Sequence, residues 1–253
     1  MLRLVQYYER CAPVHMEAVP GSKGPVIGIV ADTEKDAGPC ADLVKRKGGI
    51  PRLIVPGQDG APLEALRQIA GLIVAGGGHI GRDTADGPRR TGRTGETPPD
   101  VAVVSLPLLE AALAADMPVL AVGSGMHALN AVLGGTLVGG LASHGPSEQD
   151  GVEVSAYHRI FIASGTKLAA IIGSGGFVRV NSRHLLGMRD AQRSPLLMAS
   201  AYSLDDGVVE AVESPDHGWV VGVQFRPELR LEIPPHFDRL FESLVERAAA
   251  CSA

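Results

Sequence analysis

The chain of 253 residues carries a formal charge of −5, with 45% hydrophobic and 20% charged residues, which describes an ordinary soluble globular protein of one α/β domain or two small ones. That acidic balance, with no long Lys/Arg cluster, provides no field for nucleic acid. No apolar run approaches the roughly 20 residues of a bilayer span, so no membrane partner is expected. Cys11, Cys40 and Cys251 are odd in number and far apart, so neither a disulfide framework nor a thiolate metal site is indicated, and a reducing cytoplasm is the expected compartment.

Residues 1–24 read as an N-terminal extension that ends in Pro20-Gly-Ser-Lys-Gly24 and lacks the apolar core of a signal peptide. Residues 25–253 read as one domain. Val26–Ala31 is the first expected strand, and Cys40–Lys47 a short helix stopped by Gly48 and Gly49. Arg52–Val55 is the second strand, Pro62–Ala70 a helix with Pro near its start, and Gly71–Ala75 the third strand. The stretch from Arg82 to Arg93, with Arg89 and Arg90, is rich in Gly, Thr, Asp and Pro and reads as a solvated loop. Val101–Ala115 is helix-compatible. Strands alternating with helices imply a parallel sheet covered on both faces.

The next segment organises the chain. Pro118–Val122 is a short apolar run suited to a strand buried on both faces. From Met126 the apolar positions adopt helical spacing through Leu129, Val132 and Leu133, and Gly134-Gly135 ends the helix. Only Val122-Gly123-Ser124-Gly125 stands between them, so the turn is sharp, of the kind that places a nucleophile at the positive end of a helix. Its apex is Gly123, which has no side chain to react.

Beyond Gly135 the pattern becomes strand-rich: Val152–Tyr157, Arg159–Ala163, Phe177–Val180, Leu197–Tyr202, Val208–Val212 and Trp219–Phe225. Several alternate in polarity, as antiparallel strands with one wet face do. A last helix follows Pro234-Pro235, with Phe237, Leu240, Phe241, Leu244 and Val245 on one stripe.

Gly76, Gly78 and Gly81 spell GxGxxG after a strand, but Arg82-Asp-Thr-Ala-Asp-Gly-Pro88 cannot form the helix a dinucleotide site requires. No cofactor is therefore expected, and a glycine loop facing an oxyanion is the better reading. The eight histidines show neither HxH nor HExxH spacing, so no metal site is expected. His127, one turn into the elbow helix, reads as a structural histidine. His158 and His184 are candidates to line a pocket, which spacing alone does not establish. Gln224-Phe-Arg-Pro-Glu228 leaves the apolar strand Val220–Val223, where α/β proteins usually build their site, so Arg226 and Glu228 can project there together.

Taken together, these segments resemble the class I glutamine amidotransferase-like proteins, and within them the γ-glutamyl-γ-aminobutyrate hydrolase group, peptidase family C26. The resemblance is carried by Leu72–Gly77, Pro118-Val-Leu120, Gly125-Met126, Leu129–Thr136, Ser164–Leu168, Val180–His184, Asp206–Ala211 and Gly222–Glu228. It implies a flavodoxin-like α/β fold, with a mostly parallel central sheet, helices on both faces and additional antiparallel strands. It also implies a Cys–His–Glu triad in which cysteine attacks a γ-glutamyl amide. Carried over by position, the cysteine falls on Gly123, the histidine on Arg226 and the acid on Glu228, so only the acid is retained. The basic residue that follows the family's nucleophile is Ser124 here. The family's Asn-Ser-x-His-His-Gln is Asn181-Ser-Arg-His184-Leu185-Leu186, and its Arg-Asp pair before the elbow has no counterpart in Val101-Ala102. Gly76 and Gly77 retain the oxyanion-side loop.

Without a thiol no acyl-enzyme forms, and arginine cannot act as a general base near neutrality. The expectation is a catalytically inactive binding or scaffold protein. Its pocket would be formed by Gly76, Gly77, Ser124, Gly125, His184 and Arg226, and would suit a small carboxylate or other anion. Two alternatives stand beside it. One is a C–N hydrolase rebuilt around Ser124 with His127, His158 or His184 as base, although Val122 breaks the GxSxG pattern. The other is a subunit that is active only with a partner; as to assembly, a homodimer or a protein partner is the expectation.

Overall fold

The computed structural model describes residues 24–31, 33–54, 62–75 and 100–251. The chain enters at β1 (Val26–Val30) and crosses α1 (Glu34–Arg46) to β2 (Ile50–Ile54). It then passes α2 (Pro62–Leu66), β3 (Gly71–Ala75), α3 (Asp100–Ala114), β4 (Val119–Val122) and α4 (Ser124–Val132). A 3₁₀ turn, Ala142–His144, and the hairpin β5 (Ser147–Gln149)–β6 (Val152–Val154) precede β7 (Ala156–Ile162). The remaining elements are α5 (Lys167–Ile172), β8 (Gly176–Ser182), β9 (Met198–Ser203), β10 (Val209–Glu213), β11 (Val220–Val223), a 3₁₀ turn at Pro235–Asp238 and α6 (Arg239–Cys251).

Nine strands form one sheet in the order β2-β1-β3-β4-β11-β10-β9-β7-β8. From β2 to β11 every pairing is parallel, and from β11 to β8 every pairing is antiparallel. The parallel strands alternate between two cores. Ile27, Ile29, Ile73, Leu120, Val122, Val221 and Val223 face α1, α5 and α6. Val30, Leu72, Val74, Val119, Ala121 and Val220 face α2, α3 and α4. Both faces are buried, which is why these strands read as continuous apolar runs.

Three boundaries differ from the sequence reading for identifiable reasons. Helix α1 begins at Glu34, well before the expected Cys40, because Thr33 caps it: Thr33 Oγ1 accepts from Asp36 N at 3.2 Å and donates to Asp36 Oδ2 at 2.7 Å. Gly38 and Pro39 lie inside this helix. His158, which separated two expected strands, is a buried residue within the single strand β7. The stretch after Pro234 begins as a 3₁₀ turn, and the regular helix starts at Arg239. The N-terminal extension, Cys11, Gly76–Gly81 and Arg82–Arg93 lie outside the described residues. Among the described residues no helix is long and apolar enough to cross a membrane.

Candidate functional site

The turn between β4 and α4 has the expected geometry. Gly123 caps α4 with φ +58° and ψ −119°, a left-handed conformation that glycine adopts without the Cβ conflict other residues meet. Its N–H donates to Val223 O at 2.8 Å, and its carbonyl accepts from Met126 N at 3.0 Å, fixing the apex against β11. Gly125 serves closeness of approach, because a Cβ there would collide with Val74 O. Helix α4 therefore lies directly on β3, with Met126, Ala128 and Leu129 buried below it.

Arg226, just beyond β11, covers the apex. A Cβ at position 123 would lie 3.3 Å from Arg226 Cδ and 3.9 Å from Arg226 Nε. Asn181, in β8, holds the arginine's backbone: its Oδ1 accepts from Arg226 N at 2.9 Å and its Nδ2 donates to Arg226 O at 3.1 Å. Arg226 Nε donates to Glu228 Oε1, and the glutamate side chain is fully enclosed. Burial works against the arginine's charge, but Glu228 outweighs it and pushes the guanidinium pKa above its ordinary value. Among the described residues, Glu228 Oε2 has no hydrogen-bond partner.

Cys40 of α1 is also near this pair. Burial pushes its thiol well above the ordinary range, Glu228 adds to the effect and Arg226 opposes it. A fully enclosed, protonated thiol is a core side chain rather than a nucleophile.

The three histidines considered as bases for Ser124 have other partners. His127 Nε2 lies 2.7 Å from Gln224 Oε1, which ties α4 to the end of β11. His158 and His184 face Glu210 of β10, at 3.2 Å and 3.6 Å from its Oε1. His144 joins them, with Nδ1 3.4 Å from the same oxygen and Nε2 3.0 Å from Asp206 Oδ2. The sequence reading singled out neither His144 nor Glu210, although Glu210 lies within the Asp206–Ala211 segment that carries the resemblance. Thus His184, expected beside Arg226, faces Glu210, while Arg226 lies over Gly123, which Ser124 and Gly125 follow in the turn. Gly76 and Gly77 lie outside the described residues.

Comparison with known proteins bears on the family and the fold. The sequence model of the Peptidase C26 family matches residues 25–228. The chain is 28% identical over 236 residues to a Schizosaccharomyces pombe protein provisionally named a glutamine amidotransferase, covering 88% of this chain and 87% of that one. It is 27% identical over 229 residues to the γ-glutamyl-γ-aminobutyrate hydrolase of Escherichia coli O157:H7, covering 81% and 85%. The fold is similar to that of a glutamine amidotransferase from Thermotoga maritima, with TM-score 0.60 at 17% identity over 88% of this chain and 97% of that one. With elbow, sheet order and matched sequence in agreement, the chain belongs to the Peptidase C26 family, with the fold of the class I glutamine amidotransferases.

Proposed function

We propose that this protein retains the family's elbow as a backbone frame, has given up acyl transfer at it, and acts by binding rather than by turnover. The observation that carries the proposal is the pairing of Gly123 with Arg226, since the apex offers no nucleophilic atom and the side chain above it is a guanidinium. Covalent catalysis needs a nucleophile and a partner that exchanges its proton near neutral pH. Glycine cannot supply the first, and arginine, which stays protonated throughout that range, cannot supply the second. Cys40 is sealed within the core, and the three histidines considered as bases, His127, His158 and His184, face Gln224 or Glu210. Neither supports a rebuilt site around Ser124.

The same geometry supports a small carboxylate as ligand. Only Nε of Arg226 is bound to Glu228, and among the described residues the two terminal nitrogens of the guanidinium have no acceptor. The amino end of the nine-residue helix α4 directs unpaired N–H groups toward the same place. Glu228 takes part of the charge, so the expected affinity is modest. Steady-state assays with γ-glutamyl amides and with glutamine test the first part, and anion titration of wild type and Arg226→Ala tests the second.

A further inference from the structure

The elbow leaves unexplained a buried polar cluster one strand away. His144 ends the 3₁₀ turn, His158 lies mid-strand in β7, His184 follows β8, and Glu210 lies mid-strand in β10. All four are buried, Glu210 completely. The rings of His144 and His158 are 4.5 Å apart between centroids, and those of His144 and His184 4.7 Å.

Two of the rings have a partner that identifies the nitrogen carrying hydrogen. His184 Nδ1 lies 2.9 Å from Leu186 O, which can only accept, so Nδ1 is the donor. His144 Nε2 faces the Asp206 carboxylate, also an acceptor. In the neutral rings, His184 Nε2 and His144 Nδ1 therefore turn bare lone pairs toward Glu210. Among the described residues, none of the imidazole nitrogens facing Glu210, and neither of its oxygens, makes a hydrogen bond of acceptable geometry. Lone pairs converging on an enclosed carboxylate repel one another. Several unsatisfied polar atoms in one buried place are costly unless something positive lies between them.

We propose that His144, His158 and Glu210 form a binding site for a divalent transition metal, zinc by chemistry, with His184 closing the fourth side. His144, His158 and Glu210 offer ligand atoms within 4.8 Å of one another. The nitrogen-to-oxygen separations of 3.2, 3.4 and 3.6 Å bracket the edge of a zinc tetrahedron, about 3.3 Å for bonds of about 2.0–2.1 Å. Imidazole with one carboxylate suits zinc and its first-row neighbours, whereas magnesium and calcium prefer oxygen. The outer contacts fit as well, because Asp206 and the Leu186 carbonyl would each orient a ligating histidine through its other ring nitrogen. The frame is rigid: Ser182 Oγ donates to His144 O at 2.7 Å, and His184 N donates to the same carbonyl at 3.1 Å. Enclosure on all sides makes the role structural, clamping the 3₁₀ turn and the loop after β8 onto β10. That clamp adjoins the elbow, since Glu210 O accepts from Gln224 N at 2.8 Å.

The test is elemental analysis of the purified full chain, followed by titration of the metal-stripped protein with Zn²⁺ against a chromogenic chelator and with Co²⁺ by visible spectroscopy. The expected result is one tightly held equivalent of metal and the intense visible bands of tetrahedral Co²⁺. Zn²⁺ affinity should fall at least 100-fold in His158→Ala and in Glu210→Gln, and about 10–100-fold in Asp206→Asn, which alters only an orienting contact. Wild-type protein that takes up no Zn²⁺ and gives no Co²⁺ bands would overturn the proposal, even if every variant failed to fold. So would unchanged Zn²⁺ affinity in His158→Ala or Glu210→Gln.

Discussion

Arg226 lies across Gly123: the position where a side chain would leave the elbow is 3.3 Å from Arg226 Cδ. The two residues occupy the places where the family resemblance puts a cysteine and a histidine. A thiol–imidazole pair exchanges a proton near neutral pH, whereas a glycine–guanidinium pair has no nucleophile and a fixed positive charge.

The backbone of the elbow gives the first prediction. Gly123→Ala places a Cβ at φ +58° beside Arg226 and is expected to cost about 1–3 kcal/mol. Gly125→Ala is expected to be worse, because its new carbon meets the Val74 backbone carbonyl rather than a movable side chain. Denaturant melts would show both midpoints lowered, Gly125→Ala the more. An unchanged midpoint for Gly123→Ala would contradict the strained-turn account.

These features differ in how visible they were in the sequence. The elbow was legible because its causes are local: an apolar strand, two glycines around Ser124, and a switch to helical spacing within a few residues. Arg226 and Glu228 were legible as neighbours, two positions apart at the end of an apolar strand. The start of α1 was not, since the expected helix began at Cys40, whereas the cap made by Thr33 and Asp36 starts it at Glu34. The cluster around Glu210 was least legible. Its members run from position 144 to 210 without motif spacing, and only the pairing of β7 with β8 and β9, and of β9 with β10, brings them together.

Cysteine reactivity gives the second prediction. Cys40 is buried with its thiol pKa raised, and Cys251 is exposed. Under native conditions at mildly alkaline pH, iodoacetamide should modify Cys251 within minutes and leave Cys40 unlabelled until the protein is unfolded. Peptide mapping by mass spectrometry reads both sites. Rapid native labelling of Cys40 would show that the core beneath Arg226 opens.

The guanidinium gives the third. Citrate, glutamate and sulfate are expected to bind with dissociation constants from millimolar to high micromolar, about −4 to −5.5 kcal/mol. Arg226→Ala should abolish that binding. Calorimetric titration of both proteins decides it, and equal affinities would show that the anion does not bind at the elbow.

Reintroducing a thiol gives the fourth. Gly123→Cys alone should produce no turnover of γ-glutamyl amides, because Arg226 stays protonated near neutrality and can neither take the thiol's proton nor release one to the departing amine. Arg226→His in the same chain supplies such a group and is the fairer rescue, though Leu185 and Leu186 stand where the family pattern is polar. Turnover by Gly123→Cys alone, with Arg226 in place, would mean that another residue performs the acid–base step.

The most direct measurement is the steady-state rate of the unaltered protein with γ-glutamyl amides and glutamine, run beside Ser124→Ala and an active family hydrolase as positive control. The account predicts no release of amine or ammonia above the buffer blank. A turnover of about 1 per second or more, abolished by Ser124→Ala, would contradict it and place working acyl-transfer chemistry at this elbow.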